Sequence, residues 1–319
     1  MSSSRNAFQR KPALLWTLIA LVVALAVLIV VAVVRSGDDN STSASDQDAM
    51  HGPQAPESAN SGSSDSANNR MQGGEYSPEK ARELAEQVEP GTNFASPTSP
   101  NANIVGPGGE ITSNEDILNV HRRDAQDPFA MGALDAPVVL SEFSDFECPF
   151  CTRFAVETAP KLKEKFVDTG LLRVEWNDLP VNGPQAEVGA QAGRAAGKQG
   201  KFYDFHDVLY NNTYENQTGG HPGYSVEDLV EFAEKAGVKD IAQFRKDLED
   251  ETYKDVVRQA RSYATSVGLN GTPAFILGDR FISGAQPYEV FEDEVYRQLA
   301  KVADGTVPRA GTTVGPQAQ

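Results

Sequence analysis

The chain has 319 residues, of which 39% are hydrophobic and 23% charged, and a formal net charge of −17. An acidic balance of this size repels nucleic acid and anionic lipid, which excludes both as partners held by charge. The whole length holds two cysteines, which excludes a scaffold stapled by several disulfides and leaves at most one pair.

Residues 1–12 carry Arg5, Arg10 and Lys11 and no acid. Ala13 to Val34 is an apolar run long enough to cross the ~30 Å hydrocarbon layer as one helix, and it reads as a transmembrane span. The competing reading is a cleaved signal peptide, but its apolar region is typically ~7–15 residues and closes on a small-x-small site that this run lacks. Cations before the span, with Asp38 and Asp39 beyond it, put the N-terminus in the cytoplasm and the rest outside. Residues 35–114 are rich in Ser, Asn, Gly, Pro and Asp and poor in aromatic and β-branched side chains, which predicts a flexible extracytoplasmic tether. One helix interrupts it over Ser77–Glu89, where Ser77 is placed as N-cap and Pro78 opens the first turn. The folded domain is expected at 115–303, followed by a polar tail at 304–319.

Within that domain, strand Val138–Phe143, helix Pro149–Val167 and strand Leu172–Asp178 form a β-α-β unit, which requires a parallel pair and a right-handed crossover. A helical block follows over about 185–267, carried by Gln185–Asn211, Ser225–Ala236 and Ile241–Gly268. Strands Ala274–Leu277 and Arg280–Ile282 make a hairpin through Gly278-Asp279, and Pro287–Leu299 closes as a helix. Gly189, Gly193 and Gly197 recur every four residues on the first inserted helix, and close helix packing is the expected reason. Phe202, Tyr203 and Phe205, next to His206, read as core aromatics rather than a cofactor site.

The chemistry is concentrated in Cys148-Pro149-Phe150-Cys151. Pro149 suits the first helical position, so the preceding strand delivers Cys148 to a helix N-terminus, where unpaired N–H groups and the macrodipole favour a thiolate. Cys151, one turn deeper, is placed to attack a mixed disulfide at Cys148. A zinc site would need further ligands, and His51, His121, His206 and His221 lack metal spacing. A purely structural disulfide is the other reading, though so short a loop stabilises little. Glu142 lies in the apolar strand six residues before Cys148. If buried, its pKa rises and it can take the Cys151 proton through water; a solvated strand-edge carboxylate is the alternative. Gly271-Thr272-Pro273 is a turn that runs straight into an apolar strand.

Phe143-Ser-Asp-Phe-Glu-Cys-Pro-Phe-Cys151, together with Gly271-Thr-Pro273, resembles the DsbA-like branch of the thioredoxin superfamily over about residues 127–299. The resemblance implies an α/β thioredoxin-like fold with an inserted helical subdomain, an exposed nucleophile at Cys148 and a buried partner at Cys151. It also implies an acid at Glu142, a cis proline at Pro273 and a Thr272 backbone offered to an extended substrate, with Pro149 and Phe150 beside it. The chain departs from the best-known members in three ways. Phe150 stands where they carry a histidine, Thr272 where they carry a valine, and Glu147 brings a charge expected to push the Cys148 pKa up.

The expected function is a membrane-tethered, extracytoplasmic thiol-disulfide oxidoreductase that introduces disulfides into exported proteins with free or mispaired cysteines. The family implies a quinone-linked membrane reoxidant. No bound cofactor is expected beyond the Cys148–Cys151 pair, since neither a dinucleotide fingerprint nor a P-loop is present. A reductase or isomerase using the same site, and a non-enzymatic peptide-binding or chaperone-like module, are the alternatives.

Overall fold

A computed structural model describes residues 76–216 and 220–309. The expected cytoplasmic N-terminus, the span Ala13–Val34, the tether as far as residue 75 and residues 310–319 lie outside the described residues. Among those described, no helix is long and apolar enough to cross a membrane.

The elements in chain order are α1 (Pro78–Ala85), β1 (Ala130–Met131), β2 (Val138–Ser144), a helical run α2 from Pro149 to Val167, and β3 (Leu172–Asp178). Then come α3 (Pro184–Lys198), α4 (Phe202–Asn216), α5 (Val226–Lys235), α6 (Ile241–Glu249) and α7 (Lys254–Ser266), followed by β4 (Ala274–Leu277), β5 (Arg280–Ser283) and α8 (Tyr288–Ala303). The sheet order is β1-β3-β2-β4-β5, with β2 parallel to β3 and antiparallel to β4. This is a thioredoxin-like sheet whose halves are separated by helices α3–α7.

Every residue of β2 is buried, as its central position demands. Side chains alternate across a strand, so Val138 and Leu140 meet Phe154, Leu162, Phe291 and Leu299 of α2 and α8, and Glu142 and Ser144 continue on that face. Phe143 points the other way, onto Ala264 of α7.

The α2 run is helical throughout but not regular. Proline at 160 has no N–H and would collide with the carbonyl four residues back. The chain widens there: Ala159 N–H donates to Phe154 O, and Asp168 N–H to Lys163 O at 2.8 Å, each five residues apart.

Three sequence expectations need correction. The tether does not reach residue 114: α1 packs on α8 with Ala81 and Ala85 buried, and Arg82 pairs with Asp293 at 2.9 Å. Further along, Gly91 N–H donates to Gly170 O at 2.9 Å, and the buried Arg194 guanidinium holds Ala102 O at 2.7 Å. The folded unit therefore already includes the described residues from Tyr76 onward, and Val307 is still buried beyond the expected end at 303. Second, Gln185–Asn211 is two helices, because Gly200 adopts φ +70° and turns the chain between α3 and α4. Third, Ile241–Gly268 also breaks, at Glu251 with φ 53°.

The glycine row of α3 does face close neighbours. A Cβ at Gly193 would stand 2.9 Å from Phe146 Cε2, and one at Gly197 would stand 2.6 Å from Phe129 Cε1. The aromatic cluster around Phe146, Trp176, Phe202 and Phe205 thus lies directly against helix backbone, and it forms the core of the inserted subdomain.

Candidate active site

The strand-to-helix turn after β2 is pinned by Asp145, whose Oδ1 accepts the Glu147 N–H at 2.9 Å. Its Oδ2 accepts the N–H groups of Val181 at 2.8 Å and Asn182 at 3.0 Å. These bonds hold Cys148 at the N-cap of α2 (φ −86°, ψ 120°), with its carbonyl accepting from Thr152 N–H at 3.1 Å. Asp145 is a positioning residue that the sequence reading did not single out. The signal was present: an aspartate two residues before Glu147 is the spacing of an Asx turn.

Thr272-Pro273 is a cis peptide bond, as the resemblance implied, and it lies against the cysteine turn. The Cys148 thiol donates to Thr272 O at 3.4 Å. Cys148 is 5% exposed and Cys151 0%, so the nucleophile is more sheltered than expected and only slightly more accessible than its partner. The turn carrying Thr272 lies close enough to accept its thiol hydrogen, and the sequence could not place that loop.

Both cysteines are thiols in this structure, and their electrostatics are opposed. The hydrogen bond from the Cys151 thiol is the main cause that pulls Cys148 down to about 6, aided by the Thr272 side chain and the N–H groups of Cys151 and Phe150, against burial. Burial pushes Cys151 well above the usual thiol range, and the neighbouring Cys148 adds to that. The arrangement makes Cys148 the thiolate and Cys151 the proton-bearing thiol near neutrality.

Glu142 is 5% exposed, and burial pushes its carboxyl up to about 7, opposed by His206 and the Ser144 hydroxyl. Its Oε1 is buried without a hydrogen-bond partner. The Ser144 hydroxyl acts on both groups, favouring the ionised form of Glu142 and of Cys151 against burial.

Glu147 has partners away from the thiol. Its carboxylate accepts Gly223 N–H at 2.7 Å and Tyr224 N–H at 3.3 Å, while its carbonyl accepts His221 Nδ1–H at 2.8 Å. The carboxylate holds a loop 76 residues away in sequence, a distance over which local pattern carries no signal. Phe150 is 56% exposed beside the nucleophile, its ring under Arg153 at 5.2 Å. With Arg153, Thr272, Ala285, Gln286 and Tyr288 it lines a groove of about 650 Å³ that opens next to Cys148. Pro149 occupies the first helical position, as its fixed φ favours. Among the described residues no cluster of His, Cys, Asp and Glu could hold a metal ion.

Comparison with known proteins agrees with this geometry. A thioredoxin family profile matches residues 124–295, and a profile for the DsbA N-terminal domain matches residues 42–120. The chain is 34% identical over 166 residues to the probable disulfide bond formation protein D of Bacillus cereus, covering 50% of this chain and 76% of that protein. It is also 32% identical over 161 residues to a Na(+)/H(+) antiporter NhaA 3 of Salinispora tropica, of which only 22% is covered. Among solved structures, oxidised BdbD from Bacillus subtilis superposes with TM-score 0.50 at 23% identity, covering 54% of this chain and 92% of that one, a likeness of fold.

Proposed function

Because the chain belongs to the DsbA-like thioredoxin family and is a thiol-disulfide oxidoreductase, we propose that it works as an oxidase, introducing disulfides into exported proteins from an anchor at Ala13–Val34. The observation that carries this reading is the opposed pair of thiols, with Cys148 drawn down to about 6 and Cys151 pushed up. A stabilised thiolate favours the reduced form, and a site whose reduced form is stabilised accepts electrons from substrate thiols.

In the forward reaction a substrate thiolate attacks Cys148 Sγ of the oxidised pair, and the Cys148–Cys151 bond breaks with its electron pair on Cys151, which takes a proton from Glu142. A second substrate thiolate then attacks the substrate sulfur of the mixed disulfide, and Cys148 leaves as thiolate. The substrate gains one disulfide and the enzyme two electrons. In reoxidation the Cys148 thiolate attacks a disulfide of an external oxidant, such as a quinone-linked membrane partner, and expels one of its sulfurs as thiolate; Cys151, its proton passing to Glu142, then attacks Cys148 Sγ and expels the other. Thr272 and Phe150 line the substrate side: the edge beside Pro273 offers backbone to an extended segment, and the groove offers apolar contact. The −17 net charge and the cysteine-poor exported part suit a solvated enzyme with no second pair to scramble.

The same site run as a reductase is the second reading. What favours it is Phe150, whose side chain offers no donor to the thiolate. Expression of the full chain as Cys151→Ala in a host that secretes disulfide-bonded proteins tests the reading, because without the resolving thiol mixed disulfides with exported proteins should accumulate through Cys148. Their absence from non-reducing gels would remove turnover through Cys148.

A further inference from the structure

The scheme above leaves one buried base without a task. His206 on α4 is 5% exposed and is ringed by Trp176, Tyr203 and Tyr210, at centroid distances of 5.4, 5.6 and 4.7 Å. Trp176 is the direct strand partner of Glu142, so the imidazole stands against the side chain paired with that carboxyl. Glu142 Oε1 has no hydrogen-bond partner, and His206 lies near enough to lower the Glu142 pKa electrostatically. On the other side of the ring, Nδ1 lies 2.8 Å from Asp207 Oδ1. The Asp207 side chain is 67% exposed against 6% for His206, so two side chains join the neighbourhood of a buried carboxyl to water.

The tyrosines and the thiol around this space offer no route. Tyr203 and Tyr210 of α4 and Cys151 of α2 are all pushed well above their ordinary ranges, burial first among the causes. From β3, Trp176 presents an N–H already given to Asp178 at 2.8 Å.

We propose that His206 and Asp207 form the exit through which Glu142 exchanges with solvent the proton it shares with Cys151. The inference rests on the reading of Glu142 as the proton partner of Cys151. Once Glu142 has received the thiol proton, its carboxylic acid passes it through one bridging water to His206 Nε2, and the ring releases its Nδ1 hydrogen to the Asp207 carboxylate and thence to bulk water. One proton enters the ring and one leaves, and no electron moves. The reverse order reloads Glu142 before Cys151 is expelled. Aromatic walls keep bulk water from the carboxyl, which is why a dedicated outlet matters here.

The test is steady-state oxidation of a dithiol peptide by the full chain, with oxidised glutathione as terminal oxidant, over pH 5 to 8 and at several imidazole concentrations. Glu142→Gln should lose on the order of 100-fold, within the range of lost acid–base catalysis, and His206→Gln and Asp207→Asn roughly tenfold each. Added imidazole should restore much of the loss in both exit variants and none in Glu142→Gln, a response that loosened structure would not give. Asp207, being exposed, keeps the test decisive if His206→Gln does not fold. Exit variants with unchanged rate, pH profile and imidazole response beside a slow Glu142→Gln overturn the exit alone. A Glu142→Gln variant at full rate overturns the underlying reading, and the exit with it.

Discussion

The Glu147 carboxylate accepts the Gly223 N–H at 2.7 Å, so the acid next to the nucleophile clamps a loop. Replacing it tests this directly. Glu147→Gln should leave the Cys148 titration midpoint nearly in place while costing about 1–3 kcal/mol of stability, the usual loss when buried N–H partners of a charged group are left poorly matched. Chemical denaturation and thiolate absorbance on one sample measure both. A large fall in the Cys148 midpoint would restore the charge role expected from sequence.

The Cys148 thiolate should titrate near pH 6, and Cys151→Ala should raise that midpoint more than Thr272→Val does, because the Cys151 thiol is the largest contributor to it. The folded pKa lies below the ordinary thiol value of 9.0, so the stabilisation of the reduced protein is fully present above about pH 9 and is lost as pH falls through about 6. At pH 7 it amounts to about 1.4 kcal/mol, equivalent to ~30 mV for a two-electron couple. Iodoacetamide reactivity against pH checks the midpoint, and equal effects of the two substitutions would contradict the assignment.

Glu142 has a folded pKa of about 7, above its ordinary 4.5. The folded state therefore holds this proton more tightly than the unfolded chain. The resulting penalty is absent below pH 4.5, grows through the interval and is complete above pH 7, at about 3 kcal/mol. Glu142→Gln should flatten the fall in melting temperature between pH 5 and 7 while slowing turnover. A variant that keeps the wild-type pH dependence of melting would show that some other group titrates there.

Gly197→Ala should destabilise by about 1–3 kcal/mol despite alanine's better helix propensity of ~1 kcal/mol, because its Cβ would meet the Phe129 ring at 2.6 Å. Gly189→Ala, at 3.3 Å from Phe146 Cβ, should cost less. Thermal melts of the two variants compare them, and a stabilised Gly197→Ala would mean that the aromatic cluster yields easily.

The β2-α2-β3 unit and the cysteine turn were legible because each depends on local signals: a β-branched apolar run, a proline at the first helical position and two thiols at fixed spacing. The wrapping of residues 76–114 was not. It is packed by Ala81, Ala85 and Ala102 and by backbone contact at Gly91, and small residues look the same in a tether as in a close-packed seam. Pro273 was placed opposite the cysteines through resemblance alone, since nothing in a Thr-Pro pair predicts a contact 124 residues away. His206 was noted only as the neighbour of the aromatics Phe202, Tyr203 and Phe205, and its place near Glu142 depends on how α4 is laid across the sheet. A helix periodicity tells which face is buried and not what it is buried against.

The central claim, that the Cys148–Cys151 pair draws electrons from substrate thiols, is tested most directly by the reduction potential of the full chain equilibrated with glutathione at pH 7. The account predicts a value more oxidising than about −240 mV, on the side of the ~−180 to −120 mV of disulfide-forming catalysts, with Phe150→His shifting it further that way. A potential at or below the ~−270 mV of thioredoxin would contradict it and make the site a reductase.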